Sequence, residues 1–402
     1  MLHLYDCWSA YKYVNSSRAV ADAMAYLNDA VSVGSNYISM LAAQQRYGDD
    51  TSRWAPPQTE RDGYWPPAAE AGDEDALGVP RGLPVNATVC GAGGGCDYKT
   101  VGEAVAAAPD FGEGAFVVHV KEGVYKETVS VAWEKTNVVL VGDGMGKTVI
   151  TGDLNADTPG VSTFNTATVC SVTGSWRATS RSPTRRVPTR TRPWRSGSTG
   201  DRTVLDSVEL VGHQDTLYAH AMRQFYTRCR VAGTVDFVFG NSSSSQLRGR
   251  APRHGPRHPA AAAAARQGRE RRRHAAQGRT DPAQPTGIVL RGCSVNGSDE
   301  YMALYRQRPE VHRVYLGRPW KEYSRTVYVG CTLAEIVQPQ GWMPWSGDFA
   351  LKTLYYGEFD SAGPGARDAG QRVKWSSQVP KDHVDVYSVA NFIQGHEWIP
   401  KV

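Results

Sequence analysis

The sequence predicts an all-β solenoid, a parallel β-helix, preceded by a short helical segment. Three observations carry this. From about residue 85, short β-branched runs recur: FVVHV (116–120), NVVLVG (137–142), TVITG (148–152), TVLDSVELVG (203–212), FYTRCRVAG (225–233), GIVLRGCSV (287–295) and RTVYVGCTL (325–333). Each closes near Gly, Asn or Asp with few helical stretches between them, the texture of a solenoid, sandwich or barrel. Second, VGHQDTLY from Val211 and AGTVDFVF from Ala232 repeat one pattern, so that Gly212 and Gly233, and Asp215 and Asp236, are each 21 residues apart. That is a plausible length for one coil of stacked repeats, and a sandwich would not hold two such units in register. Third, residues 17–46 combine helix formers with apolar positions at helical spacing.

The elements follow in chain order. Residues 1–47 are expected to form one or two amphipathic helices. Residues 48–84, rich in Pro, Gly, Asp and Glu, read as a linker. Residues 85–398 are the expected β-helix. Within it, 171–197 and 243–276 are aberrant Arg-rich windows; residues 175–195 lack strand periodicity, and their scattered Pro and Arg could not form buried coils without stranding charge.

The formal charge of +5 is concentrated in those windows. No aromatic or groove-reading pattern accompanies the arginines, so nucleic acid is not an expected partner. No run of 18 or more apolar residues exists, so no membrane span is expected. The opening MLHLYDCWSAYKYV lacks a basic region followed by an apolar stretch and does not read as a signal peptide. The seven cysteines show no zinc spacing, and no metal site is expected; Cys90 and Cys96 flank a Gly-rich turn and could pair. Sequons begin at Asn15, Asn86, Asn241 and Asn296.

The repeat carries the candidate chemistry. On adjacent coils, Asp215 and Asp236 would lie one strand spacing apart, roughly 4.7–4.9 Å. Two carboxylates that close cannot both ionise freely, so one tends to stay protonated, a division suited to an acid and a nucleophile. The competing reading, in which each Asp merely caps a turn, is weakened by the matched register, the flanking aromatics and Gln214.

The blocks GTVDFVFG (233–240), GHQDTLY (212–218), VKEGVYKE (120–127) and LGRPW (316–320) resemble, in order and spacing, the signatures of plant pectin methylesterases (pectinesterases), as do 85–165, 198–242 and 277–398 more broadly. The resemblance implies a right-handed parallel β-helix that hydrolyses the C6 methyl esters of polygalacturonate with no cofactor. It implies Asp236 as nucleophile, Asp215 as acid and then base, Gln214 as oxyanion donor, and Arg318 paired with Asp236 to keep it ionised. Substrate contacts would come from Thr163, Tyr218, Phe239, Arg318, Trp320 and Trp342. For the two tryptophans the alternative is packing of the coil flank. Tyr125 and Glu127 would be structural. The helical segment resembles the end of an inhibitor-like pro-region, too short for a four-helix bundle, which leaves an apolar face exposed. The family further implies a secreted cell-wall glycoprotein, monomeric, with pectin and a proteinaceous pectinesterase inhibitor as partners, and with neither nucleic acid nor membrane.

The chain also departs from the family. A further block with a second oxyanion glutamine is expected upstream of Ser198; here 186–197 reads RVPTRTRPWRSG. Shifting its reading frame by one nucleotide permits AGPDAHQAVAFR, which puts the glutamine at Arg192. Out-of-frame translation across both windows is the hypothesis; a transcript whose frame matches the printed residues would sink it, leaving disordered insertions. Loss of one oxyanion donor typically costs about 10²–10³ in rate, so a catalytically impaired pectin-binding β-helix is the alternative function. A lyase of the same fold would need a calcium-binding carboxylate cluster, and none is seen beside Arg318. Gly249 stands where the family has the partner of Cys229, so Cys229 is expected to be a free thiol.

Overall fold

The computed structural model describes Leu4, Cys7 and residues 18–91, 95–152, 167–171, 177–180, 196–198, 200–212, 214–248, 272–367 and 369–402. The chain divides into two compact units, Met1–Trp65 with Arg279–Pro285, and Pro66–Gly278 with Thr286–Val402.

The smaller unit is built on one long helix, α1 (Arg18–Tyr47), rather than two. Tyr26, Val33, Tyr37 and Met40 recur at helical spacing and are exposed, while Ala43 is buried. The expected uncovered apolar face is therefore present. Glu60 and Arg279 are buried in this unit, with Arg279 donating to the Asp281 carbonyl.

The larger unit is the solenoid. Among the described residues, an 11-stranded parallel sheet runs in sequence order from Ala87–Val89 through Phe116–Val120, Val138–Gly142, Arg177–Ser180, Thr203–Asp206, Arg223–Thr227, Ser243–Arg248, Gly287–Arg291, Arg325–Val329 and Tyr355–Phe359 to Ser377–Gln378. A seven-stranded parallel sheet interleaves with it, also in sequence order: Val129–Val131, Val169–Ser171, Ser196–Ser198, Leu217–Ala219, Val238–Gly240, Arg272–Gln277 and Val314–Gly317. From Val129–Val131 to Arg325–Val329 each turn of chain thus adds one strand to each sheet, which is the stacking that the 21-residue repeat predicts. The register agrees, since Gln224 pairs with Thr203, Arg230 with Glu209, and Val238 with Leu217. Parts of the Arg-rich windows are also strands, at 177–180, 196–198, 243–248 and 272–277, so residues 177–180 pair in the ladder although their stretch lacks strand periodicity. Backbone pairing makes no demand on side-chain polarity. The rest of both windows lies outside the described residues.

The longer β-branched runs each bend once. Residues in the left-handed region mark the same corner of five coils: Ser207 (φ 57°), Arg228 (φ 54°), Gly292 (φ 59°), Gly330 (φ 60°) and Asp360 (φ 47°). A non-glycine there costs roughly 1–2 kcal/mol, offset by rung-to-rung hydrogen bonds such as Ser207 N–H to the Thr227 carbonyl at 3.0 Å. Inside, side chains stack in rows, Leu205 on Tyr226 and Leu290 on Tyr328, all buried. Each contributes about 1.5–3 kcal/mol on burial. Helix α2 (Val101–Ala106) lays Val101, Ala104 and Val105 into the core at the N-terminal end. Glu127 accepts from the Val101 and Gly102 amides at 2.9 and 2.8 Å, and the Tyr125 hydroxyl donates to the Lys121 carbonyl at 3.0 Å. Both residues are structural, as the sequence suggested. Cys90 and Cys96 form a disulfide, and Cys229 is a buried free thiol pushed up to about 12 by burial.

The expected linker requires correction. Its second half is a strap belonging to the solenoid unit. Leu77 and Val79 are buried, Leu77 bridges Lys401, and Gly78 donates to the Pro400 carbonyl at 3.0 Å. Glu74 is buried, accepts from the Val389 amide at 2.8 Å and pairs with Arg291 at 3.3 Å. Asp206 accepts from the Val79 amide at 3.1 Å and pairs with Arg228. Composition read this stretch as open because the partners of Glu74, Gly78 and Val79 are remote in sequence.

Candidate functional site

Asp215 and Asp236 precede the strands Leu217–Ala219 and Val238–Gly240, which are neighbours in the seven-stranded sheet. Gln214 bridges Val235, the Asp215 amide donates to the Val235 carbonyl at 3.0 Å, and the Leu217 amide to the Phe237 carbonyl at 2.8 Å. Pairing therefore continues in the 21-residue register through the two aspartates, which occupy equivalent places on adjacent coils. Both take left-handed backbones, with φ of 55° and 47°. Asp and Asn are among the few non-glycine residues that accept this conformation readily. Space enforces the flanking glycines. A Cβ on Gly233 would lie 2.3 Å from Phe237 Cβ, and one on Gly240 (φ 134°) would lie 1.8 Å from the Ala219 carbonyl oxygen.

Arg318 follows the strand Val314–Gly317, two sheet neighbours beyond Val238–Gly240, and its amide donates to the Ala275 carbonyl at 2.9 Å. Its Nε lies 3.1 and 3.2 Å from the Asp236 carboxylate oxygens, and Nη2 also donates to Oδ2. The side chains are 16% and 6% exposed, so this charge-assisted fork is largely shielded from water. Burial pushes the nearby Tyr356 phenol up.

An aromatic row lines the same sheet. Tyr218 and Phe239 stack with centroids 4.4 Å apart and planes 7° apart, and Trp320 meets Phe239 edge-on at 6.0 Å. Cys170 and Ala276 complete the cluster; burial pushes the Cys170 thiol up to about 12. The structure thus brings together Asp215, Asp236, Gln214, Arg318, Tyr218, Phe239 and Trp320. Thr163 lies outside the described residues, as does Arg192.

Trp342 is a correction. It is 1% exposed, lies between Tyr328 and Tyr356, and donates to Glu358 at 3.2 Å. Arg372 completes that buried cluster with bonds of 2.8 and 3.0 Å to Glu358. A ring enclosed in this way has no face to offer a sugar. The residue that sequence reasoning passed over is Trp345, 37% exposed, with the Arg318 guanidinium 3.9 Å from its ring centroid. The motif GWMPW held both candidates three residues apart, and only burial separates them.

Among the described residues, no group of three or more His, Cys, Asp or Glu side chains could hold a metal ion, and no helix is long and apolar enough to cross a membrane.

Comparison with known proteins gives a consistent picture. The family model described as Pectinesterase matches residues 86–396. The chain is 47% identical to "Probable pectinesterase/pectinesterase inhibitor 64" of Arabidopsis thaliana, over 99% of this chain and 66% of that protein. It is 41% identical to "Pectinesterase 1" of Solanum lycopersicum, over 78% of this chain and 55% of that protein. The chain therefore spans a little over half to two thirds of these relatives. Among solved structures it resembles "Pectin methylesterase from Carrot", with a TM-score of 0.67 and 35% identity over 79% of this chain and 95% of that one. A pectin methylesterase from Aspergillus niger shares the fold at a TM-score of 0.60 and 19% identity, covering 82% of this chain and 99% of the other. The fold is the right-handed parallel β-helix of these proteins, as the sequence led one to expect.

Proposed function

Because the chain belongs to the pectinesterase family, we propose that it hydrolyses the C6 methyl esters of polygalacturonate to pectate and methanol. The observation that carries this is the in-register pair Asp215 and Asp236, with Arg318 forked onto Asp236. Asp236 attacks the ester carbonyl as its carboxylate. The tetrahedral intermediate expels methoxide, which takes the Asp215 proton and leaves as methanol, and an acyl-aspartyl anhydride remains. Asp215, now a carboxylate, takes a proton from water, and the resulting hydroxide attacks the acyl carbon. The Asp236–acyl bond breaks, the galacturonate acid is released, and Asp215 is again protonated. Gln214 donates to the developing oxyanion. Tyr218, Phe239, Trp320 and Trp345 hold the sugar rings, with Thr163 at the same chain. No metal or organic cofactor takes part.

Pectin of the cell wall is the partner, and the protein acts there as a secreted, monomeric glycoprotein. Helix α1 is the end of an inhibitor-like pro-region, in keeping with the double names of its relatives, and a proteinaceous pectinesterase inhibitor is a second partner. The test is methanol release from highly methylated pectin by the purified chain, with Asp236→Asn as control. Release by wild type and none by the variant supports the reading; equal release by both removes Asp236 from its role. Pectin binding without release points to an impaired esterase.

A further inference from the structure

Among the described residues, the most exposed large aromatics of the solenoid unit form a pair that the site above does not use. Trp133 is 60% exposed and Phe111 is 55% exposed, and their rings meet edge-to-face with centroids 5.0 Å apart and planes at 68°. We propose that this pair is a distal subsite for a methyl-esterified stretch of the galacturonan chain whose ester is cleaved at Asp236. The proposal rests on the functional reading above.

Position is the first argument. Trp133 lies in the connection 132–137, between the strand Val129–Val131 of the seven-stranded sheet and Val138–Gly142 of the 11-stranded sheet. The equivalent connection from Val314–Gly317 to Arg325–Val329 carries Arg318 and Trp320. Phe111 precedes Phe116–Val120 at the same edge. The pair therefore sits along one edge with the aromatic row, three to four strand steps from the aspartates on the side opposite Trp320. At the usual strand spacing that is about 14–20 Å, several sugar rings away.

Construction is the second. Phe111 holds φ at 53°, a strained value for a bulky side chain. Its amide donates to the Glu134 carbonyl at 2.6 Å. Lys135 joins the two segments through the Ala108 carbonyl and Asp110, both at 2.7 Å, and Thr136 and Asn137 each donate to the Gly112 carbonyl at 2.8 Å. Strain and these cross-links hold two apolar rings more than half exposed to water. A pyranose ring offers an apolar C–H face to just such a surface.

Charge is the third. The two segments carry Asp110, Glu113 and Glu134 against Lys135 alone, and Lys135 is already paired with Asp110. An ionised galacturonate is repelled there, whereas a methyl ester is neutral. The subsite therefore favours chain that has not yet been processed.

The test is binding in an Asp236→Asn background, which prevents turnover, using fully methyl-esterified and fully de-esterified oligogalacturonides in short and long forms. Short forms cover only the catalytic coils; long forms extend about 20 Å beyond them. The parent should bind long esterified oligomers more tightly than short ones. Adding Trp133→Ala should weaken the long esterified ligand about three- to tenfold, Trp133→Phe should retain most of the gain, and the de-esterified ligand should be little affected. Unchanged affinity for the long esterified ligand in Trp133→Ala overturns the subsite while leaving the esterase reading intact. Equal weakening of both ligand types overturns its preference for esters. A parent that binds no oligomer of any kind overturns the functional reading and the subsite with it.

Discussion

The pairing of Asp236 with Arg318 predicts a specific pattern of losses. The two side chains are 6% and 16% exposed, with Nε within 3.2 Å of both carboxylate oxygens. Replacing Arg318 by Met keeps much of the volume and leaves the carboxylate without its partner. Removing one member of a buried pair typically costs about 3–5 kcal/mol, and the stacking of Arg318 on Trp345 adds about 0.5–1 kcal/mol. Asp236→Asn should cost less, about 1–3 kcal/mol, because Asn tolerates the left-handed backbone and the more exposed guanidinium keeps some water. The double variant should then lose less than the sum of the two, by about 0.5–3 kcal/mol. Urea unfolding followed by near-ultraviolet circular dichroism measures all four proteins, and methanol release follows function in parallel. Turnover should fall to background in Asp236→Asn and in the double variant. Additivity within about 0.5 kcal/mol would show that the pair is not energetically coupled, and substantial turnover by Asp236→Asn would refute the nucleophile.

Other predictions follow from separate parts of the molecule. Trp342→Ala should lower stability by about 3–5 kcal/mol by hollowing the core, whereas Trp345→Ala should leave the melting temperature nearly unchanged and raise KM for pectin; thermal melts and steady-state kinetics read the two. In a secreted preparation, glycan mapping should find Asn296, which is exposed, modified, and Asn241 bare, because Asn241 is 5% exposed and accepts from Thr286 at 2.7 Å. Burial raises the Asp201 carboxyl, but hydrogen bonds and charge from Arg223 outweigh this and hold it below the ordinary value. A carboxyl depressed in the fold stabilises above its unfolded pKa of about 3.9, and that contribution is lost as pH falls through the lower folded value. Asp201→Asn should therefore be less stable than wild type near neutrality, with the gap closing in acid below about pH 4, as pH-dependent melts would record.

What the sequence disclosed and what it withheld divide along a physical line. The repeat of Gly212–Asp215 in Gly233–Asp236 is local and periodic, so the coil, the register and the carboxylate pair could all be read from it. Arg318 was reached through a short motif. The strap from Glu74 to Val79 was misread because its burial comes from partners near Arg291, Val389 and Pro400, which no local pattern reveals. The same holds for Trp342, whose place in the core is fixed by Glu358 and Arg372. Asn241 satisfies a sequon by composition yet spends its amide oxygen inside the coil. Chemistry written in a repeat or a short motif was legible even where it joins neighbouring coils, and burial set by partners with no local pattern was not.

The strap bears on how the solenoid comes apart. Stacked coils joined only to their neighbours peel from either end, because each terminal coil has one partner. Here a single stretch of chain touches Asp206 and Arg291 on two separate coils, and Val389, Pro400 and Val402 in the segment that follows the last strand. It acts as a longitudinal seam. A coil cannot leave without opening contacts several layers away, so unravelling is converted from a sequence of small events into one large one. Detaching that seam, by cutting between Val79 and Val85 for instance, would return the stack to unzipping layer by layer.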